Sequence, residues 1–331
     1  MRLLVLSRFL LPCLSVSTLL AQNPVGGSRL LVANQHDHTV SFIDPVAGKE
    51  VAVTDVGGVT GHEVAVSPDG LTAYVPIYGN SGVGKPGTDG ASMAVLDVVS
   101  HKLIHTVEFG HPVRPHLPVY DTKHNLLYVT TELDEAMAIV NPHSLRVVGK
   151  IPTTQAQSHM LALSHDGSRG YTANVGPGTV SVLDMKAKKT LTVIPIAAST
   201  QRISISNDDK MVFTADQTKP QLAVIDTATN KIKTWVSLPA IGYGTAPTRD
   251  GRWLLVAIET LHQVAVVDLK TLKVAKTLEV PGVPTEILAR PDGEKAYVSC
   301  GKQVAVIDLK SWKTETPIEA GDGADGLAWA Q

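Results

Sequence analysis

Hydrophobic residues alternate with small or polar ones in short segments that recur along the chain. Seven such segments end in Asp or Asn: TVSFID at Asp44, MAVLD at Asp97, AMAIVN at Asn141, TVSVLD at Asp184, QLAVID at Asp226, QVAVVD at Asp268 and QVAVID at Asp308. A period of two is typical of β-strands, and no segment keeps a helical period. The pattern therefore predicts an essentially all-β protein.

Each alternating segment belongs to a longer repeating unit. A short apolar segment, a polar turn and a Tyr- or Val-rich segment precede it, and a Lys-rich alternating segment follows it. The turns are marked by Gly70, Asn125, Gly167, Lys210, Gly251 and Gly293, spaced 41 to 43 residues apart after a first interval of 55. Four strands per unit at this period are typical of propeller blades. The sequence thus predicts a seven-bladed β-propeller of four-stranded antiparallel blades.

The two ends of the chain are predicted to close the ring together. The repeat that begins at Arg29 has second, third and fourth strands but no segment for a first strand, whereas residues 326–330 form an apolar segment with no partners after it. Because an open ring would leave one blade a strand short, we expect the C-terminal strand to join the N-terminal blade.

The first 21 residues differ from the repeats. Arg2 and Arg8 precede an apolar stretch that is too short to span a membrane, and Ala21 suits a cleavage position. We therefore predict a signal peptide at 1–21, a linker at 22–28 and the propeller at 29–331, in a periplasmic or secreted protein without a transmembrane span after processing.

Composition and charge narrow the possible partners. The chain is 44% hydrophobic with a formal net charge of −2, and losing Arg2 and Arg8 would bring the mature protein to about −4. This charge disfavours nucleic-acid binding. Only Cys300 would remain after removal of Cys13, so no intramolecular disulfide is expected. We expect a monomer stabilised by packing and ring closure.

Several segments carry a resemblance to a known repeat family. EVAVSPDG, LLYVTTE and TVSVLDMKAKK resemble the YVTN β-propeller repeat, and the resemblance covers residues 29–331. The double glycines of kelch repeats and the Trp-Asp pairs of another propeller class are absent from the sequence. The resemblance implies a bacterial exported propeller. Such propellers include surface and periplasmic binding proteins, and related ones are lactonases, lyases and redox-cofactor domains, so fold alone does not choose a function.

Three histidines occupy the same position in successive repeats. His62, His116 and His159 each stand twelve residues before a tyrosine of the second strand. Loops at this position surround one mouth of the central channel, the default binding site of the fold. Three imidazoles from separate strands could form a zinc or copper site with open positions. Alternatively, they are polar residues lining a wet channel.

Further polar residues are predicted on the same face. The expected ligand-binding residues are Glu63, Tyr78, Arg114, Glu132, Gln201, Arg202, Tyr243, Glu259, Glu286 and Asp325. In a lactonase or lyase, His159 or Glu132 would act as general base and Arg202 would hold an oxyanion. No family catalytic motif matches these residues.

One insertion interrupts the regular spacing. Residues 79–91, GNSGVGKPGTDGA, lie between the second and third strands of the second blade and contain five glycines up to Gly90. Glycine allows wide backbone freedom, so we predict a lid beside His62 that folds over the channel mouth and brings Tyr78 to the ligand.

These observations favour a binding module for a small ligand, metal or protein partner at the channel face over an enzyme. A lactonase- or lyase-type enzyme is one alternative, and a propeller that handles a metal or redox cofactor is another. An enzyme predicts a pocket under the lid with a base and an arginine converging, whereas a protein-binding scaffold predicts a flatter, more apolar face.

Overall fold

The computed structural model describes residues 27–331. The predicted signal peptide and most of the linker therefore lie outside the described residues. Within 27–331 the regular structure is almost entirely β, with two short 3-10 turns at Glu132–Asp134 and Glu259–Leu261. No helix in this part of the chain is long and apolar enough to cross a membrane.

The strands follow the chain in blades of four. Blade 1 contains β1 (Arg29–Asn34), β2 (Thr39–Asp44) and β3 (Lys49–Asp55). Blade 2 contains β4 (Ala65–Val66), β5 (Thr72–Gly79), β6 (Asp89–Asp97) and β7 (Lys102–Glu108). Blade 3 contains β8 (Pro115–Asp121), β9 (Leu126–Thr131), β10 (Ala136–Asn141) and β11 (Arg146–Pro152). Blade 4 contains β12 (Ser158–Leu163), β13 (Arg169–Asn174), β14 (Thr179–Asp184) and β15 (Lys189–Pro195).

The remaining blades continue the pattern. Blade 5 contains β16 (Ile203–Ile205), β17 (Met211–Ala215), β18 (Gln221–Asp226) and β19 (Lys231–Ser237). Blade 6 contains β20 (Thr245–Pro247), β21 (Trp253–Ile258), β22 (Gln263–Asp268) and β23 (Lys273–Glu279). Blade 7 contains β24 (Pro284–Ala289), the long β25 (Lys295–Asp308), β26 (Lys313–Thr314) and the first part of β27 (Ile318–Ala330). Neighbouring strands in each blade pair antiparallel, which confirms the seven-bladed β-propeller.

The polar residue that ends each third strand has a local structural role. Asp44 Oδ1 accepts hydrogen bonds from the backbone N–H groups of Val46 and Ala47, both at 2.9 Å. Asn141 Oδ1 accepts the equivalent hydrogen bonds from the backbone N–H groups of His143 and Ser144, at 3.0 and 2.9 Å. A side chain that accepts these N–H groups stabilises the reversal into the outermost strand. This explains why the alternating segments end in Asp or Asn.

The ring closes as the sequence predicts. The C-terminal half of β27 pairs with β1, with Leu30 opposite Trp329 and Val32 opposite Leu327. The N-terminal half of β27 pairs with β25, with Val304 opposite Ile318. One strand therefore completes the outer edge of blade 7 and then supplies the inner strand of blade 1.

The hydrophobic core lies between the faces of neighbouring blades. One cluster packs Leu31 and Phe42 of blade 1 against Val75 and Leu96 of blade 2, and all four are fully buried. Alternating strands bury both faces when sheets stack on each side, so each blade depends on its neighbours. The inner strands surround the central channel, which brings the residues just before them to the channel mouth.

Candidate functional site

A cavity of about 340 Å³ opens at the channel mouth, and residues from all seven blades line it. The sequence-predicted residues among them are His62, Tyr78, His116, His159, Gln201, Arg202, Tyr243 and Asp325. Each comes from an inner strand, from the loop before one, or from the end of β5. The repeat therefore explains why these side chains converge.

The three imidazoles meet on one side of the cavity. The ring centroids of His116 and His159 are 3.6 Å apart, and those of His62 and His116 are 5.3 Å apart. His116 and His159 are buried, and within residues 27–331 the Nδ1 atom of each has no hydrogen-bond partner. The side chain of Gln35 lies 2.9 Å from Nε2 of His62 and completes this group.

The histidines are held in their neutral form. Burial lowers the pKa of His62 to about 4, with a smaller opposing effect from Asp325. Burial also lowers the pKa values of His116 and His159 well below the ordinary value, and the charge of Arg202 adds to the effect. A neutral imidazole carries one nitrogen that donates and one that accepts, so the cavity wall offers both.

The arrangement differs from a preformed metal centre. Between residues 27 and 331, no group of three His, Cys, Asp or Glu side chains is placed so that it could hold a metal ion. His116 and His159 lie ring against ring instead of pointing at a common centre. Zinc or copper binding by the three histidines stays a prediction.

Arg202 lies buried in the channel beside the imidazoles. Its Nη1 donates to Glu286 at 2.8 Å and also to Glu63, and its Nη2 donates to Asp325 at 2.7 Å. Its guanidinium carbon lies 5.0 Å from the centre of the Tyr243 ring. The positive charge is therefore already paired with three carboxylates, and the Nη atoms do not form an open fork for an anion.

The pKa values of two carboxyl groups that contact Arg202 are also shifted. Burial raises the pKa of Glu63 well above its ordinary value and that of Glu286 to about 7, although Arg202 opposes both shifts. The side chain of Glu286 is 20% exposed. With a pKa of about 7, the carboxyl group of Glu286 is partly protonated near neutral pH, which limits the net negative charge of the cluster.

The insertion covers part of the cavity, and a buried ion network fixes its base. Residues 81–83 line the cavity. Arg114 donates from Nε to Asp89 at 2.6 Å and from Nη2 to the carbonyl of Lys85 at 2.6 Å. Glu132 accepts from Arg114 at 3.2 Å and from the backbone N–H of Gly84 at 3.0 Å. Arg114 and Glu132 therefore anchor the lid through hydrogen bonds to its residues.

Tyr78 connects this network to the histidines. Its hydroxyl donates to Glu132, and its ring lies 4.7 Å from His62 and 5.3 Å from His116, measured between ring centroids. Burial and the contact with Glu132 raise its pKa, so the phenol keeps its proton. A displacement of the lid would therefore reach the imidazoles through the side chain of Tyr78.

The other predicted residues lie at different depths. Glu63, Arg114, Glu132 and Glu286 stand behind the cavity wall and contact residues that line it or hold its lid. Glu259 lies on the 3-10 turn of blade 6 and is not part of the lining. The candidate residues of a lactonase are thus separated, because His159 lines the cavity while Glu132 supports the lid.

The predicted ligand-binding set omits four polar residues of the lining, namely Gln35, His36, Ser81 and Thr285. The repeat places Thr285 at the same position as the three histidines. Gln35 follows β1, the second strand of blade 1, and Ser81 belongs to the lid. Only the fold of the lid brings Ser81 to the cavity, where its buried hydroxyl has no partner among the described residues.

Comparison with known proteins identifies the fold and no family. No protein-family model matches the sequence, and no curated protein is similar to it in sequence. Among solved structures, the chain is similar to the Pseudomonas aeruginosa periplasmic gluconolactonase PpgL, with a TM-score of 0.72 and 18% identity over 92% of this chain and 99% of that one.

Two further structures show the same likeness. Kuenenia stuttgartiensis hydrazine synthase matches with a TM-score of 0.67 and 16% identity over 81% of this chain and 89% of that one. The dihydro-heme d1 dehydrogenase NirN, in complex with DHE, matches with a TM-score of 0.65 and 14% identity over 90% and 74%. Fold and function separate readily at such identities, so these similarities show the propeller architecture and establish no function.

Proposed function

We propose that this protein is an exported β-propeller that binds a small ligand in the cavity beneath the lid of residues 79–91. One observation carries the proposal. Four buried polar atoms that find no hydrogen-bond partner in the described part of the chain belong to residues that line the cavity: His116 Nδ1, His159 Nδ1, Arg202 Nε and Ser81 Oγ. An unpaired buried polar group costs about 1–3 kcal/mol. Their concentration around one cavity is typical of a site adapted to a ligand instead of to stability.

The shape of the site supports a small ligand over a protein partner. The cavity has a volume of about 340 Å³ and is lined by Val83 of the lid and mainly by polar side chains. Small-molecule sites are concave with a few placed polar groups, whereas a docking surface for a protein is flatter and more apolar.

Two further features support export of the protein and its assignment to the YVTN-like propellers. The pattern of residues 1–21 is that of a secretory signal, and one structural neighbour is a periplasmic protein. The repeat segments that resemble the YVTN repeat cover the entire propeller. On these grounds we assign the chain to the exported YVTN-like propellers.

A ligand screen tests the proposal. The exported protein, recovered from the periplasm of an expression host, is screened by thermal denaturation against small metabolites, and compounds that raise Tm are measured by calorimetry. We expect replacement of His116 and His159 by Ala to weaken binding about tenfold or more. The matched control is His105→Ala on the exposed face of β7, which should leave affinity unchanged. A screen without any ligand, or a ligand indifferent to the double variant, would overturn the proposal.

A second candidate function is lactone hydrolysis. The observation that favours it is the neutral state of His159 next to the cavity, since a general base must be unprotonated at the working pH. A neutral imidazole could accept the proton of a water that attacks a lactone carbonyl, whose ring oxygen then leaves as the alcohol. The likeness to a gluconolactonase adds support.

Hydrolysis is tested separately from binding. Acid release from a panel of lactones is followed at constant pH, with the uncatalysed rate subtracted. For an enzyme, His159→Gln should lower kcat by about 100-fold or more while the lactone still raises Tm. Acid release that is equal in the two proteins would exclude His159 as the base.

A further inference from the structure

We propose that the ligand of this cavity is a small uncharged molecule rich in hydroxyl and carbonyl groups, and that anions of the same size are excluded. This inference rests on the proposed function, because it names the ligand class of the same site. It follows from the charge balance and the donor set of the lining residues.

Most polar side chains of the lining carry no charge. Six of them are amides or hydroxyls, namely Gln35, Tyr78, Ser81, Gln201, Tyr243 and Thr285. Three more are the imidazoles of His62, His116 and His159, which burial keeps neutral. A fourth imidazole, that of His36, is 66% exposed and lies 3.3 Å from Asp322. Amide, hydroxyl and neutral imidazole groups can each donate and accept hydrogen bonds. A molecule with several hydroxyl groups has the matching set of donors and acceptors.

The charges that do line the cavity neutralise each other. Arg202 and Asp325 both face it, and they are joined by a hydrogen bond of 2.7 Å. Glu63 and Glu286 accept from the same guanidinium, so carboxyl groups outnumber it. An anionic ligand would lie next to the carboxylate of Asp325, and a cation would lie next to Arg202. An uncharged ligand avoids both contacts.

The lid and the residue just before β24 add a small apolar surface. Val83 of the lid and Val283 of blade 7 both line the cavity. A ring with hydroxyl groups at its edge presents C–H groups to such residues and hydroxyl groups to the imidazoles and amides. The combination favours a cyclic polyol over a linear hydrocarbon or a flat charged aromatic compound.

Matched pairs of sugars test the class. Glucose, galactose and mannose are each compared by calorimetry with the corresponding hexuronate, which differs only in a carboxylate in place of the CH2OH group. We expect at least one hexose to bind, and its uronate to bind about tenfold more weakly or worse. A uronate that binds as tightly as its hexose would overturn the inference.

The two proposals fail in different ways. Binding of charged metabolites alone, with affinity lost when His116 and His159 are replaced by Ala, would overturn the ligand class and leave the proposed function standing. Absence of binding by charged and uncharged compounds alike would overturn both.

A charge variant sharpens the test. Asp325→Asn removes one negative charge from the cavity and leaves the charge of Arg202 less fully neutralised, so uronate affinity should rise about tenfold relative to hexose affinity. Glu286→Gln is the second variant, in case the first fails to fold, and it should act in the same direction. Glu279→Gln on the outermost strand of blade 6 is the control and should change neither affinity. Unaltered selectivity in the folded charge variants would overturn the inference.

Discussion

Nη2 of Arg202 donates a hydrogen bond of 2.7 Å to Oδ1 of Asp325, and this contact joins blade 5 to the strand that closes the ring. Glu63 of blade 2 and Glu286 of blade 7 accept from the same guanidinium. One buried side chain therefore connects four blades across the channel and also forms part of the cavity wall. The stability of the ring and the shape of the cavity therefore depend on the same residue.

Removing the charge of Arg202 should destabilise the entire ring. Arg202→Met leaves three carboxyl groups without their cation in a buried site, and we expect a loss of about 3–5 kcal/mol in the free energy of unfolding. Urea unfolding followed by circular dichroism measures it. The loss should be smaller at pH 5 than at pH 8, because the carboxyl group of Glu286, whose pKa is about 7, is protonated at the lower pH. An equal loss at both pH values would contradict this account.

The neutral histidines make stability depend on pH in a defined direction. The pKa of His62 is about 4 in the folded protein against an ordinary 6.5, so between these values the unfolded chain binds a proton that the folded chain does not. The contribution of the neutral His62 to the free energy of unfolding is therefore complete above pH 6.5 and is lost as the pH falls towards 4. Wild type should lose about 3 kcal/mol more than His62→Gln over this interval.

Unfolding in urea at pH 7, 5.5 and 4 checks the prediction. Glu286 contributes with the opposite sign, since its raised pKa costs stability as the pH rises towards 7. Both proteins contain Glu286, so its contribution cancels in the difference. Parallel pH profiles for wild type and His62→Gln would show that the imidazole is not desolvated as described.

The lid should open when its base is released. Arg114→Ala removes the contacts to Asp89 and to the carbonyl of Lys85, so residues 79–91 should exchange amide hydrogens and be cleaved by proteases faster. Ligand dissociation should accelerate about tenfold, since most changes in affinity appear in the off-rate. Glu108→Gln on the exposed face of β7 is the matched control. Unchanged exchange in Arg114→Ala would mean that the lid is held by other contacts.

Ring closure should depend on the last strand. Leu327 is buried and lies opposite Val32 of β1, so Leu327→Ala should cost about 2–5 kcal/mol in the free energy of unfolding. Val46→Ala is the control, because Val46 is 96% exposed and surface changes of this kind stay within about 0.5 kcal/mol. Deletion of residues 324–331 should prevent folding of the soluble protein. A truncated protein with native melting behaviour would contradict the role assigned to β27.

The fold could be predicted almost completely from local information. The alternating segments that end at Asp44 through Asp308 are strands β2, β6, β10, β14, β18, β22 and the second half of β25. Alternation and turn residues act over a few positions, and their repetition sets the number of blades. The first of the seven repeats lacks a segment for its inner strand, and one apolar segment remains at the end of the chain. Closure of the ring by β27 was therefore predictable as well.

The site was predictable as a location and not as a chemical environment. The shared repeat position placed His62, His116 and His159 at the channel mouth, and the insertion beside Tyr78 indicated a lid. The pairing of Glu132 with Arg114, which makes both residues supports of the lid, depends on how the insertion folds back. No sequence pattern sets that contact.

The sequence by itself determined the strands, the repeat, the blade count and the face that holds the site, because each depends on the order of apolar and polar residues along the chain. Only the tertiary structure decided the charge of the cavity. Arg202 meets Glu63, Glu286 and Asp325 across the channel, and these four residues are far apart in sequence. Burial then sets which groups are charged, since the energy of a charge depends on its solvent and its neighbours in space and not on its position in the chain.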